Sequence, residues 1–162
     1  MKKKKANKKI MIGIIGGVLI VSLVILYITF RNDKMVCKNV YNQKADGYKI
    51  ENTYNVISKN GIVNKIIKKG IVISKKNEVL KSFEKQIKEQ YEYNKKTYGG
   101  YTYQISNKKG RLEVDVTVEC DKMHLEKFIK DNEAMQQFVN SNNKVTLKGA
   151  KKLYKSIGAK CS

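Results

Sequence analysis

Cys120 and His124 stand four residues apart in the stretch CDKMH. A thiol beside an imidazole is the smallest set of groups that can run nucleophilic catalysis, the imidazole taking the proton and the thiolate attacking. The two side chains must meet for that to happen. Here they fall on different elements, because Cys120 closes an alternating apolar run and His124 opens a helical one. The expected roles are a packed cysteine and a capping or surface histidine. One histidine and three scattered cysteines do not make a zinc site. Glu113, Asp115 and Glu119 alternate along one strand face and could hold a cation weakly, but salt bridges to neighbouring lysines are their ordinary role. There is no glycine-rich phosphate loop and no G-x-S-x-G elbow. The expectation is a protein with no catalytic residues, no metal and no cofactor, hence no enzyme.

Tyrosines offer a different chemistry, an apolar ring with a polar tip. Tyr98, Tyr101 and Tyr103 in YGGYTY form the candidate binding patch, although Tyr101 and Tyr103 also share the phase of a buried strand face. Charge offers a third possibility. Lys and Arg total 34 against 14 acidic residues, a net charge of +20. Such a chain can bind nucleic acid, anionic lipid or an anionic wall polymer. Nucleic-acid readers lean on arginine forks and stacked aromatics. Arg31 and Arg111 are the only arginines and there is no tryptophan, which argues against nucleic acid. Part of the lysine excess reflects an AT-rich genome, and most of it reads as solvated surface.

The elements that would position these residues follow from periodicity. In YKIENTYNVI, Tyr48, Ile50, Tyr54 and Val56 share one side, a strand pattern. SKNG (Ser58 to Gly61) is a turn signal, and IVNKIIKKGIVIS is a second, imperfectly alternating strand in which Gly70 suggests a bulge or bend. Val79, Leu80, Phe83, Ile87 and Tyr91 make one helical stripe, with Asn77 as its expected N-cap. After YGG, a strand carries Tyr101, Tyr103 and Ile105 on one face, and NKKG turns the chain. The next strand puts Leu112, Val114, Val116, Val118 and Cys120 inward and charged residues outward, as in a sheet covered on one side. Two helical stretches close the pattern. The first is irregular near Asp131 and Asn132, and the second has Thr146 as N-cap and Gly158 as C-cap. The expected fold is α+β with the order β-β-α-β-β-α-α: a four-stranded antiparallel sheet over residues 46–162 with helices on one face.

Ahead of it, Ile10 to Phe30 runs 21 residues without a charge, enough to cross a bilayer as a helix. The run lacks a small-x-small cleavage site, and Cys37 follows a charged stretch that does not suit lipidation. A single-pass signal anchor is therefore expected. Six lysines precede it, which puts residues 1–9 in the cytoplasm as a basic tail and residues 31–162 outside. The G-x-x-x-G pair Gly13/Gly17 reads as incidental in a span this rich in isoleucine. Residues 31–45 are polar and read as a tether.

Cys37 and Cys161 bracket the predicted domain, outside any periodic element. Domain ends tend to lie close together, so a Cys37–Cys161 disulfide is expected, with a bond through Cys120 or no bond as the alternatives. Such a bond belongs to an oxidising compartment.

The stretch YGGYTYQISNKKGRLEVDVTVECDKMHLEKF, followed by NKVTLKGAKKLYKSIGAKC, resembles the YehR-like family of small bacterial lipoproteins. There a Gly-hydrophobic-Thr-Tyr strand, a short turn, a long alternating strand and a closing amphipathic helix ending in Gly occur in this order. It is also similar to anchored hypothetical proteins of low-GC Gram-positive bacteria, which carry a cysteine after the apolar run and another just before the C-terminus. The resemblance spans roughly residues 46–161 and implies an envelope location. It supplies no catalytic residues, and this chain lacks the lipid-acceptor cysteine of the lipoproteins. The expected function is a membrane-anchored extracytoplasmic binding or interaction module whose partners are the bilayer, through residues 10–30, and a protein or anionic envelope polymer. The alternative is a lysine-rich polyanion binder, with nucleic acid as its ligand only if the topology is inverted.

Overall fold

Alternation builds most of the sheet, but more strands form than periodicity alone suggests. The computed structural model describes residues 32–162. The expected anchor, the basic tail and the Gly13/Gly17 pair lie outside the described residues. Among those that are described, no helix is long and apolar enough to cross a membrane. Six strands are present: β1 (Asn32–Gln43), β2 (Tyr48–Lys59), β3 (Ile62–Ser74), β4 (Tyr101–Lys108), β5 (Arg111–Glu119) and β6 (Lys160–Cys161). They form one sheet in the order β4-β5-β3-β2-β1-β6. Helix α1 spans Asn77–Tyr98, α2 Leu125–Asp131 and α3 Leu147–Ser156. Short 3₁₀ turns cover Cys120–Lys122 and Glu133–Phe138.

The four-stranded expectation is therefore wrong, and the tether is the reason. Residues 32–43 pair as β1, with Met35, Cys37 and Asn39 buried in alternation. The pattern was hidden because a buried asparagine breaks the apolar phase, while Val40 points outward and is 58% exposed. Strand β6 is two residues long, too short for any periodicity to show. It is held on β1 by two means. Val36 N–H donates to Ser162 O at 3.0 Å, and Ser162 N–H returns a bond to Val36 O at 2.9 Å. Directly beside this pair, Cys37 and Cys161 face each other in register and are joined by a disulfide.

Gly70 lies in unbroken register between Asn52 and Val114, so it makes no bulge. The register shift falls instead between Ile57 and Ser58. The β2–β3 turn is the expected one: Asn60 and Gly61 both take positive φ (53° and 75°), the conformation a two-residue type I′ hairpin requires.

The caps are mixed. Helix α1 begins after Lys76, and Asn77 is its first helical residue with no side-chain cap made. Ser74 serves that corner instead, accepting from Lys76 N–H at 3.1 Å and donating to Gly47 O at 2.8 Å. Thr146 caps α3 as expected, accepting from Gly149 N–H at 2.9 Å. At the other end Gly158 N–H reaches Lys155 O and Ala159 N–H reaches Tyr154 O, the paired bonds of a Schellman ending.

Helices α1 and α3 cover different parts of one sheet face, and α2 packs against α1 and the Glu133–Phe138 turn. Helix α1 packs on β4, β5 and β3, while α3 packs on β2, β3 and β6. Two apolar clusters result. Val72, Leu80, Leu112, Val114 and Val116 centre the one under α1. Cys37, Val56, Val63, Ala150 and Tyr154 belong to the one under α3.

The disulfide spans a sequence separation of 124 residues and is fully buried at Cys37. Closing so long a loop restricts the unfolded chain strongly, so Cys161→Ser is expected to lower the unfolding free energy by about 2–5 kcal/mol. Urea unfolding of the full chain measures this. An unchanged midpoint would mean that hydrogen bonds alone hold β6.

Candidate functional site

The two glycines of YGG separate the tyrosines that the sequence groups together. Gly99 and Gly100 both take positive φ (66° and 70°) and turn the chain from α1 into β4. Tyr98 stays behind on the helix and is only 4% exposed. Its hydroxyl donates to Asp131 Oδ2 at 3.3 Å, and its ring stands edge-on to Phe128. Tyr101 and Tyr103 lie on the covered face of β4, under α1. Tyr103 donates to Glu92 Oε1 at 2.5 Å, and its ring stacks on Tyr91 with centroids 5.6 Å apart. The three rings form no common exposed surface. They pack the fold, Tyr98 against α2 and the other two against α1.

Cys120 and His124 come closer to the sequence picture. Both line a surface depression of about 780 Å³ between the start of β3, α2 and the loop at Asn142–Val145. Cys120 is the unpaired cysteine and packs against the α3 cluster. It opens the 3₁₀ turn and does not end β5. Burial, helped by the nearby Asp121 carboxylate, pushes its thiol up to about 11. It is protonated at neutral pH, and an activated cysteine needs the opposite shift. On the open sheet face, Glu113 pairs with Lys108 and Arg111, at 3.1 and 2.8 Å. Glu119 pairs with Lys122 at 2.6 Å and Lys65 at 3.9 Å. The hydrogen bond from Lys108 lowers the Glu113 carboxyl, and the one from Lys122 lowers Glu119. These carboxylates are engaged by lysine and arginine. Among the described residues, no three His, Cys, Asp or Glu side chains gather where a metal ion could sit.

The arrangement with most to offer is one that periodicity did not single out. Between the two apolar clusters runs a polar seam. Register places Tyr54 opposite Lys68 and Asn52 opposite Gly70, all four on the covered face. Helix α1 crosses above with Phe83, Ile87 and Tyr91 one turn apart and Gln86 and Gln90 beside them. Asn52, Lys68, Gly70 and these helix residues, with Tyr41 of β1, line a cleft of about 410 Å³. Ile50, Val72, Val114, Phe83 and Ile87 supply its apolar walls. Gly70 keeps its floor low, since a Cβ there would meet Asn52 Oδ1 at 3.2 Å.

Lys68 is the only charged residue in the inward phase of β2 to β5. Its Nζ donates to the Tyr91 hydroxyl at 3.1 Å. It also lies 5.9 Å from the Tyr54 ring centroid and 5.7 Å from that of Tyr91, near enough for cation–π attraction. Among the described residues it has no carboxylate partner. Burial raises the phenols around it: Tyr54 is pushed up to about 12, Tyr101 to about 12, and Tyr154, whose ring lies 4.4 Å from that of Tyr54, higher still. The seam thus holds one ammonium amid neutral hydroxyls and amides. It can accept a single negative charge attached to an apolar body. The signal in the sequence was the imperfect alternation of β3, where a lysine and a glycine hold positions that apolar residues would fill in a plain core.

No family model and no curated protein matches the chain. Among solved structures, the NMR structure of the YehR protein of E. coli aligns with a TM-score of 0.53 at 14% identity, covering 82% of this chain and 91% of that one. An NMR structure of a protein from Streptococcus pneumoniae TIGR4 aligns with a TM-score of 0.45 at 11% identity, covering 82% and 86%. At this identity the first likeness shows a shared fold, and it agrees with the resemblance carried by the YGGYTY strand and the closing helix.

The buried phenols set a pH dependence. Unfolded tyrosines ionise near pH 10, whereas Tyr54 and Tyr101 ionise in the folded protein at about 12. Their contribution to stability is full below pH 10 and is lost as pH rises from 10 through 12. Circular dichroism and tyrosinate absorbance, recorded together above pH 10, should show part of the tyrosinate signal appearing only as the fold is lost. Complete ionisation within an intact fold would contradict the packing described.

Proposed function

We propose that this chain is a membrane-anchored, extracytoplasmic binding module of the bacterial cell envelope, with the cleft beneath α1 as its site. The observation that carries the reading is the cleft itself: apolar walls, few polar groups, and one inward lysine with no carboxylate partner among the described residues. Small-molecule sites have this composition. The protonated Cys120 thiol argues for binding and against nucleophilic chemistry. The placement outside the cell rests on the charge-free run Ile10 to Phe30 behind six lysines, and the Cys37–Cys161 bond supports it, since such bonds persist in oxidising compartments.

A second reading has its own observation. Residues 134–162 hold six lysines and no acidic residue, and all six are exposed, four of them on α3. That surface suits an anionic wall polymer or lipid. Binding through it would collapse with added salt, whereas a ligand in the cleft would be retained.

Two experiments test the proposal. In intact cells, Cys37 and Cys161 should react with a membrane-impermeant maleimide only after reduction; labelling confined to lysed cells would put the domain in the cytoplasm. Native mass spectrometry of the full chain in nanodiscs should find a small molecule bound one to one. Gly70→Leu, which fills the cleft floor, should lose it while keeping the disulfide and the circular dichroism spectrum. A ligand retained by Gly70→Leu would place the site elsewhere.

A further inference from the structure

Resting on that reading, the residues of the cleft narrow the class of ligand. We infer that the cleft takes a carboxylate amphiphile, with its head on Lys68 and its aliphatic chain between Phe83, Ile87 and the Ile50–Val72–Val114 floor. Three observations lead there.

The first is the charge count. One ammonium reaches the cleft, and neither an arginine fork nor a second lysine lines it. A single compact cation matches a monoanion. A phosphate monoester carries nearly two charges and three acceptor oxygens, and sites for it gather several donors. The second is the position of the cation. Lys68 lies on the strand that floors the cleft, and its Nζ sits close to both the Tyr54 and the Tyr91 ring centroids, at 5.9 and 5.7 Å. Its ammonium is held by one hydroxyl, which leaves two of its three N–H donors for a carboxylate. Asn52 adds an amide to the cleft lining, while the Gln90 amide already donates to Asn94 Oδ1 at 2.9 Å. The third is the shape of the rest. Apart from Lys68 and the amides of Asn52, Gln86 and Gln90, the walls are aliphatic or aromatic, and the missing side chain at Gly70 opens the depth an alkyl chain needs. A neutral alkane would leave the Lys68 charge without a carboxylate counterpart, and a peptide would bring backbone polar groups that the apolar walls cannot satisfy.

The test uses the full chain in zwitterionic nanodiscs and photoreactive probes, so that adducts report the site and not partition into lipid. Diazirine-bearing decanoate, decyl phosphate and decanol are titrated, and the labelled peptides are mapped by mass spectrometry. The expected result is decanoate labelling on the peptides containing Asn52–Tyr54 and Phe83–Tyr91. Lys68→Met preserves the length of the stem and should raise half-saturation by decanoate about ten- to hundred-fold, the worth of one hydrogen bond to a charged group. Lys68→Arg should restore most of the affinity, and Gly70→Leu should abolish labelling. Equal labelling by decanoate and decanol, unmoved by Lys68→Met, would overturn the assignment of the head group and leave the binding module standing. Tighter labelling by decyl phosphate would overturn the carboxylate. A cleft labelled by no probe in the unmodified chain would overturn both this inference and the proposed site.

Discussion

Strand β3 is bonded along both edges, to β2 and to β5, and the rest of the domain takes its geometry from that double pairing. Side chains alternate across a strand, so a slip of one residue would send every inward group to the solvent face. With the register as it is, Tyr54, Lys68 and Val116 fall on one line across the sheet, and Asn52, Gly70 and Val114 fall on the next. Gly70 leaves room beside Asn52 and Val114 on the sheet face, and Gly149 lets the backbone of α3 approach Phe138 O in the preceding turn. The hairpin turn at Asn60–Gly61 guards this register at one end.

A core divided by a polar seam is weaker than a continuous one of the same size. Each cluster buries only a handful of large apolar side chains, and a fully buried leucine such as Leu80 or Leu112 contributes about 2 kcal/mol. The seam adds hydrogen bonds worth about 1 kcal/mol each at best. The disulfide offsets part of that difference, and it lies under the α3 cluster, far in sequence from the cleft-forming helix. The cleft walls Val72, Val114, Phe83 and Ile87 belong to the α1 cluster, so the covalent staple secures the other half of the sheet while the cleft shares its walls with the core under α1.

The elements legible in the sequence were those whose burial followed a clean period. Helix α1 and strand β5 each show an unbroken apolar stripe or side, and hairpin β2–β3 was legible from its Ser58–Gly61 turn and β-branched runs despite an imperfect alternation. The Thr146 cap, the irregularity after Asp131 and the pairing of Cys37 with Cys161 were legible from residue type and position. Strand β1 was not, because Asn39 is buried where the pattern needs an apolar residue and Val40 is exposed where it needs a polar one. β6 has two residues, and its pairing is a long-range event with no local trace. The tyrosine placements and the cleft failed to show for a related reason. Tyr98, Tyr101 and Tyr103 are close in sequence, but Gly99 and Gly100 leave Tyr98 at the end of α1 against α2 and put Tyr101 and Tyr103 beneath α1. Lys68 and Asn52 are ordinary residues in ordinary strands, and only the register that sets them beneath α1 gives them a common surface.

The β1–β6 staple also decides how the domain carries mechanical load. A pull entering at Asn32 runs along β1 and meets the Cys37 sulfur within a few residues. From there it divides between β1 and, across the covalent bond, β6 and the end of α3. Strand β1 cannot be unzipped alone past that point, because Cys161 and the helix behind it must come with it. Tension entering β1 is therefore shared between its hydrogen bonds to the neighbouring strands β2 and β6 and the covalent bond to Cys161.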